Sequence, residues 1–173
     1  MTTTAFTYRP EHPADDAEIE ALHAQAFGPG RFARAAFRLR EGVQHDPALS
    51  FVALSGDEFI ASVRLTPITI GGRPSILLGP LAVKPAYKGK GAGKQLVRIS
   101  LAAAREAGHR VVLLVGDEPY YGPLGFTRLA RGAITLPAPA DPDRVLVAGL
   151  TPDALEGLAG KAERIATGPR GTR

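Results

Sequence analysis

Glycine and lysine alternate through "KGKGAGK", Lys88 to Lys94, at the head of a segment whose apolar residues recur at helical spacing. Residue types of this kind in this place can hold an anion. The first N–H groups of a helix have no partner within it, and the helix dipole adds a partial positive charge there. Gly89, Gly91 and Gly93 remove side chains that would keep a phosphate away from those amides, and they permit backbone angles that aim consecutive amides at one point. Lys88, Lys90 and Lys94 add charge, and the small Ala92 completes the run.

Two familiar phosphate loops are excluded by spacing. The nucleoside-triphosphate pattern G-x-x-x-x-G-K-[ST], aligned on Gly93 and Lys94, needs glycine where Lys88 stands and a hydroxyl where Gln95 stands. The dinucleotide pattern G-x-G-x-x-G needs glycine at Lys94 or at Leu96. What remains is a basic residue followed by x-x-G-x-G: Lys88, Gly91 and Gly93. Taken alone, a glycine-rich helix entrance with solvated lysines explains it equally well.

A second stretch, "GDEPYYGPLGF" from Gly116 to Phe126, sets paired tyrosines beside proline and glycine. By itself it reads as a packed turn. A tyrosine is nevertheless able to protonate a leaving group, since its phenol, with a reference pKa of about 10, is protonated at neutral pH and near enough in acidity to a thiol at about 8.5.

The elements that position these residues follow from periodicity. Thr4 to Arg9 predicts a short opening strand. Pro13 to Phe27 predicts a helix with Ile19, Leu22, Ala26 and Phe27 on one face, broken by Gly28, Pro29 and Gly30. Arg31 to Val43 predicts a second helix with Phe32, Ala36 and Leu39 together. "SFVALSGDEFIASVRLTPITIGGRPSILLGPLAV" reads as three antiparallel strands joined by the turns "SGDE" and "GGRP".

Gly91 to Ala107 then places Leu96, Val97, Leu101 and Ala104 on an apolar stripe and Lys94, Arg98 and Arg105 on another, with Gly108 as the stop. "VVLLV" is a buried, parallel-type strand. Asp117 caps a short helix ending at Gly125. Ala133–Leu136 and Arg144–Val147 predict a strand pair around "PAPADPD", and Pro152 to Ala159 a last short helix.

A chain of 173 residues, 45% hydrophobic and 22% charged, fits one globular domain, assigned to residues 1–165 with 166–173 as a tail. The absence of cysteine excludes disulfides, thiolate metal sites and a cysteine nucleophile, and no metal is expected. The beginning, "MTTTAFTYRPEHPADD", lacks the pattern of a secretion signal, and no apolar run approaches membrane-spanning length, so the cytoplasm is the expected location and no membrane partner is expected. Lys84 to Arg110 carries seven basic residues against Glu106 alone, while the whole chain is +4, which leaves −2 elsewhere. Such a patch on a slightly acidic body suits a specific anionic ligand; a nucleic-acid module, which would lose affinity steeply with salt, is the weaker reading.

Together, in order, and separated by one helix and one strand, the two motifs resemble the GCN5-related N-acetyltransferase (GNAT) family. Lys88, Gly91 and Gly93 are similar to its coenzyme A pyrophosphate loop, whose first residue is more often Arg or Gln. Tyr120, Tyr121, Gly125 and Phe126 are similar to its aromatic-Tyr-x-x-x-G-F pattern. The close resemblance spans about Ile76 to Thr127 and points to a bacterial branch of the family.

The resemblance implies an α/β (α+β) fold, a mixed twisted sheet of about seven strands flanked by helices and splayed between strands four and five, where "ILLGPLAV" and "VVLLV" diverge. It implies acetyl transfer from acetyl-coenzyme A to an amine. The pantetheine arm would pair with the backbone of Leu81, Ala82 and Val83, an amide there, that of Val83, would face the thioester carbonyl, and the pyrophosphate would lie over Lys88, Gly89, Lys90, Gly91, Ala92, Gly93 and Lys94. Tyr121 would be the general acid and Tyr120 packing.

Many members place a glutamate on the preceding strand; Gly79 and Pro80 stand there instead, so no carboxylate fills the role of base. Glu41, His45 and Asp46 border the acceptor side of such folds, yet each reads first as a solvated surface residue and none is assigned to catalysis. A small-molecule or peptide amine is the implied partner and a homodimer a possible assembly; a non-catalytic acyl-coenzyme A binder of the same fold is the alternative.

Overall fold

The computed structural model describes residues 5–30 and 34–165. Its elements run, in chain order, β1 (Thr7–Pro10), α1 (Asp16–Phe27), α2 (Ala35–Arg40), β2 (Phe51–Ser55), β3 (Glu58–Ile70), β4 (Arg73–Val83), α3 (Ala92–Glu106), β5 (Val111–Val115), α4 (Glu118–Tyr121), β6 (Thr127–Arg128), β7 (Ile134–Thr135), β8 (Val145–Gly149) and β9 (Gly160–Arg164).

Against the expected sheet of about seven strands, the sheet has nine, of which seven lie side by side in the order β1-β2-β3-β4-β5-β8-β6. Two more lie off that path: β9 pairs with the end of β3 and with β7. All neighbours along the path are antiparallel except β4 and β5, which are joined through α3. The sequence reasons are local. β2, β3 and β4 are Val-, Ile- and Leu-rich runs separated by two-residue turns at Gly56–Asp57 and Gly71–Gly72, where Gly56, Gly71 and Gly72 supply the positive φ that such turns require.

Both faces of the sheet are covered. The α3 stripe, Leu96, Val97, Leu101 and Ala104, is buried against one face with Ile60, Ile76, Leu114 and Leu146, while its basic stripe stays exposed, as the spacing predicts. Gly108, at φ +88°, ends α3, its amide bonding back to Arg105. α1 buries Ile19 and Leu22 against Val52, Phe59 and Ala82, and α2 buries Leu39 against Ile68, Leu77 and Leu113.

Several sequence expectations are corrected. α1 begins at Asp16 after a tight turn at Pro13–Asp15, and its third buried position is His23, whereas Ala26 is exposed. α2 covers only Ala35–Arg40 of the expected Arg31–Val43; Phe32 lies outside the described residues, as do Thr4 and the 166–173 tail. The expected strand pair around "PAPADPD" does not form. Both edges of β8 are already taken, by β5 and β6, so β7 pairs in parallel with β9 instead.

Pro152 to Ala159 is a chain of turns and not a helix. Its amides bond three residues back, Gly157 sits at φ +67°, and Arg73 draws off the carbonyls of Ala154 and Glu156 at 3.0 Å each. Among the described residues no helix is long and apolar enough to cross a membrane, and no group of three or more His, Cys, Asp and Glu is placed to hold a metal.

Candidate active site

β4 and β5 are in register only at Ile76–Val112 and Leu77–Leu113. Beyond Leu78, β4 carries an extra residue at Gly79–Pro80 opposite Arg64 of β3, and the two strands part. The opening expected between strands four and five is therefore present. Lys84 donates its amide to Ile60 of β3. Backbone direction alternates along a strand, so the amide of Ala82 also faces β3 while those of Leu81 and Val83 face the gap. Of the three residues expected to pair with a ligand arm, Leu81 and Val83 offer free backbone there; Ala82 is buried beneath α1.

After β4 the chain makes a tight turn at Pro85–Tyr87 and enters "KGKGAGK". Gly89 and Gly91 adopt φ +78° and +90°, and Gly91 is the residue before the first turn of α3. From Gly89 through Lys94 the six successive amides have no acceptor among the described residues, the first satisfied one being Gln95, bonded to Gly91 at 3.1 Å. Lys88, Lys90 and Lys94 are exposed, the last two lying over the rings of Tyr87 and Tyr120 at 5.5 and 5.4 Å.

Gly93 is different from the other two glycines. Its backbone is ordinary helix, but a Cβ there would stand 2.7 Å from the Tyr120 hydroxyl and 3.4 Å from Val83. It is glycine for clearance.

α4 brings in the tyrosine pair. Tyr121 packs edge-on against Tyr120 and Phe126, with ring centroids 4.8 and 5.9 Å apart, and Gly116 leaves it room, because a Cβ at 116 would come within 2.5 Å of its ring. Burial, reinforced by Tyr120 and Asp117 and opposed by Arg144, pushes the Tyr121 phenol up to about 12; burial also raises that of Tyr120, against Arg98. Neither hydroxyl bonds to a protein acceptor among the described residues. Tyr120, expected to be packing, sends its hydroxyl into the space between Val83 and Gly93.

A single cleft of about 1300 Å³ reaches Val83, Gly91 and Tyr121 together and continues to a second half lined by Glu20, Arg40, His45, Arg64 and Gly79. That half is bordered by an ion cluster built around a buried guanidinium. The Arg64 guanidinium, 9% exposed, meets Glu11 at 2.7 Å, Asp16 at 2.8 Å and Glu20 at 3.0 Å, and Glu11 also meets His45 at 3.1 Å.

Of the three acceptor-side residues noted in the sequence, only His45 lines the cleft, and its other ring nitrogen is 3.3 Å from Gln44. Glu41 pairs with Arg38 and Arg164, and Asp46 caps the turn at Pro47–Leu49. Sequence reasoning missed Glu20 and Arg40. The one available signal for Glu20 was its spacing of four from Asp16, which sets both carboxylates on one face of α1.

The arrangement, free amides at a helix start beside an open strand edge with phenols across it, has counterparts. Residues 16–126 match the model of the Acetyltransferase (GNAT) family. Among curated relatives, the uncharacterised N-acetyltransferase YjhQ of Escherichia coli (strain K12) is 32% identical over 143 residues, 80% of this chain and 78% of that protein. YhbS of the same strain is 31% identical over 160 residues, 90% of this chain and 93% of its own. The crystal structure of E. coli YhbS in complex with CoA superposes with a TM-score of 0.78 at 30% identity, covering 92% and 89% of the two chains. A GNAT family acetyltransferase from Brucella melitensis in complex with acetyl-CoA gives 0.67 at 28% identity, covering 94% and 97%.

Proposed function

The chain belongs to the GNAT family of acetyltransferases, and from that premise we propose that it transfers the acetyl group of acetyl-coenzyme A to a primary amine by direct attack within a ternary complex. The observation that carries the reading is the run of unpartnered amides from Gly89 to Lys94 at a helix start, on the same cleft as Val83 and Tyr121. Such amides are suited to a diphosphate, and Lys88, Lys90 and Lys94 add charge without closing the approach. Leu81 and Val83 offer an open strand edge to the amide-bearing arm of the same molecule; coming from the diphosphate the arm meets Val83 first, so the amide of Leu81, further from the loop, faces the thioester carbonyl oxygen in place of that of Val83.

In the transfer, the neutral amine nitrogen forms a bond to the thioester carbon and gives up a proton to water, the carbon–sulfur bond breaks, and the thiolate takes up a proton. Tyr121 supplies it. A phenol at about 12 stays protonated across the working range. Full transfer to a thiolate of ordinary basicity, about 8.5, would run uphill by about 5 kcal/mol, so the phenol acts first as a hydrogen-bond donor that holds the developing thiolate. On the acceptor half, His45 has both ring nitrogens engaged, and Glu20, half exposed, is the carboxylate open to an incoming ammonium.

The test is a panel of primary amines with acetyl-coenzyme A, reading free thiol, beside calorimetric titration with coenzyme A. Tyr121→Phe is expected to lower turnover about 100-fold with coenzyme A binding retained; unchanged turnover removes its role. Tyr120→Phe separates the two phenols. Heat with coenzyme A but no thiol from any amine would point to a binding protein of the same fold, and no heat removes the assignment altogether.

A further inference from the structure

We propose that the acceptor is an amino acid, an amine carrying a carboxylate close to its nitrogen, and that Arg40 receives that carboxylate. The inference rests on the acetyltransferase reading above and names its substrate class.

Three guanidinium groups line the acceptor half of the cleft, Arg34, Arg40 and Arg64; Arg34 is exposed and lies over the Phe27 ring, and the other two differ in how they are matched. Arg64 is surrounded by Glu11, Asp16 and Glu20. Arg40 is mostly buried, stacks over Phe37 at 6.0 Å, and makes no ion pair or side-chain hydrogen bond among the described residues. Burial, with repulsion from Arg64 only partly offset by Glu20, pulls its pKa down to about 10, which still leaves it charged at neutral pH. A desolvated cation without a partner is costly to keep. On the wall of a cleft it becomes an anion site, and a single planar fork matches one carboxylate.

Position sets how far that carboxylate stands from the reacting nitrogen. The Arg40 Nη1 atom is 3.7 Å from where a Cβ of Gly79 would stand. Gly79 precedes Leu81, the first residue with its amide on the open edge, by two residues, about 7 Å along a strand. Two bonds of about 1.5 Å between an α-nitrogen and its carboxylate carbon, with an ion-pair hydrogen bond of about 2.8 Å, nearly span that distance. Glu20, its side chain 55% exposed, lines the same half and complements the ammonium end of such a zwitterion.

The experiment compares free α-amino acids with the corresponding α-amino amides as acceptors for acetyl-coenzyme A. The expected result is that at least one amino acid exceeds its amide in kcat/KM by about 10- to 100-fold. Arg40→Met collapses that ratio towards one, Arg40→Lys restores part of it, and both variants still bind coenzyme A calorimetrically. Arg40→Met is expected to melt no lower than the wild type, since it removes a buried unpaired charge at similar volume.

N-acetyl amino acids and their amides, titrated into coenzyme A-loaded protein, give a second readout that needs no turnover. Equal use of amides, a preference that survives Arg40→Met, or failure of both turnover and product binding for carboxylated compounds overturns the inference. Amide turnover with intact coenzyme A binding would at the same time leave the acetyltransferase reading standing; loss of coenzyme A binding by the wild type would sink that reading first.

Discussion

Gly93 shows how one missing methyl couples two motifs. In a helix interior, replacing glycine by alanine favours the helix by up to about 1 kcal/mol. Here the added Cβ would meet the Tyr120 hydroxyl at 2.7 Å, so the ring must swing into the cleft beside Val83. Gly93→Ala is thus expected to leave the melting temperature within about 2 °C of wild type while raising the KM for acetyl-coenzyme A about tenfold, a magnitude set by roughly 1.4 kcal/mol of lost fit. Gly93→Ala combined with Tyr120→Phe, which deletes the obstructing oxygen, should recover most of it. An unaltered KM in the single variant would show that the clearance has no role. The donor half of the cleft was legible in the sequence because its information is local: "KGKGAGK" carries its own backbone geometry and charge. Arg40 and Glu20 were not legible, because each acquires meaning only when α1 and α2 fold over the β4 bulge, tens of residues away in the chain.

At the scale of elements, the reading of the sheet succeeded where each strand's partner is its sequence neighbour and failed where partners are distant. β2, β3 and β4 follow from two turns. β7 and β9 could not be read, since β7 is two residues long and β9 alternates too weakly, with Lys161, Glu163 and Arg164 around the single buried Ala162. What seats β9 is a close backbone crossing: Gly71 donates its amide to Lys161 at 2.9 Å, and a Cβ at Gly71 would fall 2.1 Å from the Ala159 carbonyl oxygen. Gly71→Ala therefore combines a positive-φ penalty of about 1–2 kcal/mol with a backbone collision, and it is expected to lower the melting temperature by about 6–12 °C. Gly72→Ala, at φ +80° but with nothing within 4 Å, carries only the first of these and is expected to cost about 3–5 °C. Equal losses in the two variants would mean that the crossing does not anchor β9.

The whole molecule joins two differently charged ends of one cleft, and its pH stability should show both. Near β1, burial raises the Glu11 carboxyl, but hydrogen bonds from His45 and Arg64 outweigh it and hold it below the usual range; the Arg9 guanidinium, at 2.7 Å, holds Asp15 low against its burial. A depressed carboxylate binds fewer protons folded than unfolded, so the stability it contributes is complete above the ordinary carboxylate range and is lost as pH falls through the folded value. At the other end Tyr121, raised by burial to about 12, keeps its proton when folded after the unfolded phenol, near 10, has released it. That contribution is complete below pH 10 and is lost as pH rises towards 12. Melting temperature against pH is expected to be flat from about 5 to 9 and to fall on either side. Glu11→Gln lowers the plateau and makes the acid limb shallower, because the group that must take up the proton is gone. Tyr121→Phe leaves the acid limb unchanged and flattens the alkaline one, and the difference between wild type and this variant isolates the phenol from every other group that titrates above pH 9. An alkaline limb as steep in Tyr121→Phe as in the wild type would place the buried proton elsewhere, and with it the donor assigned to the leaving sulfur.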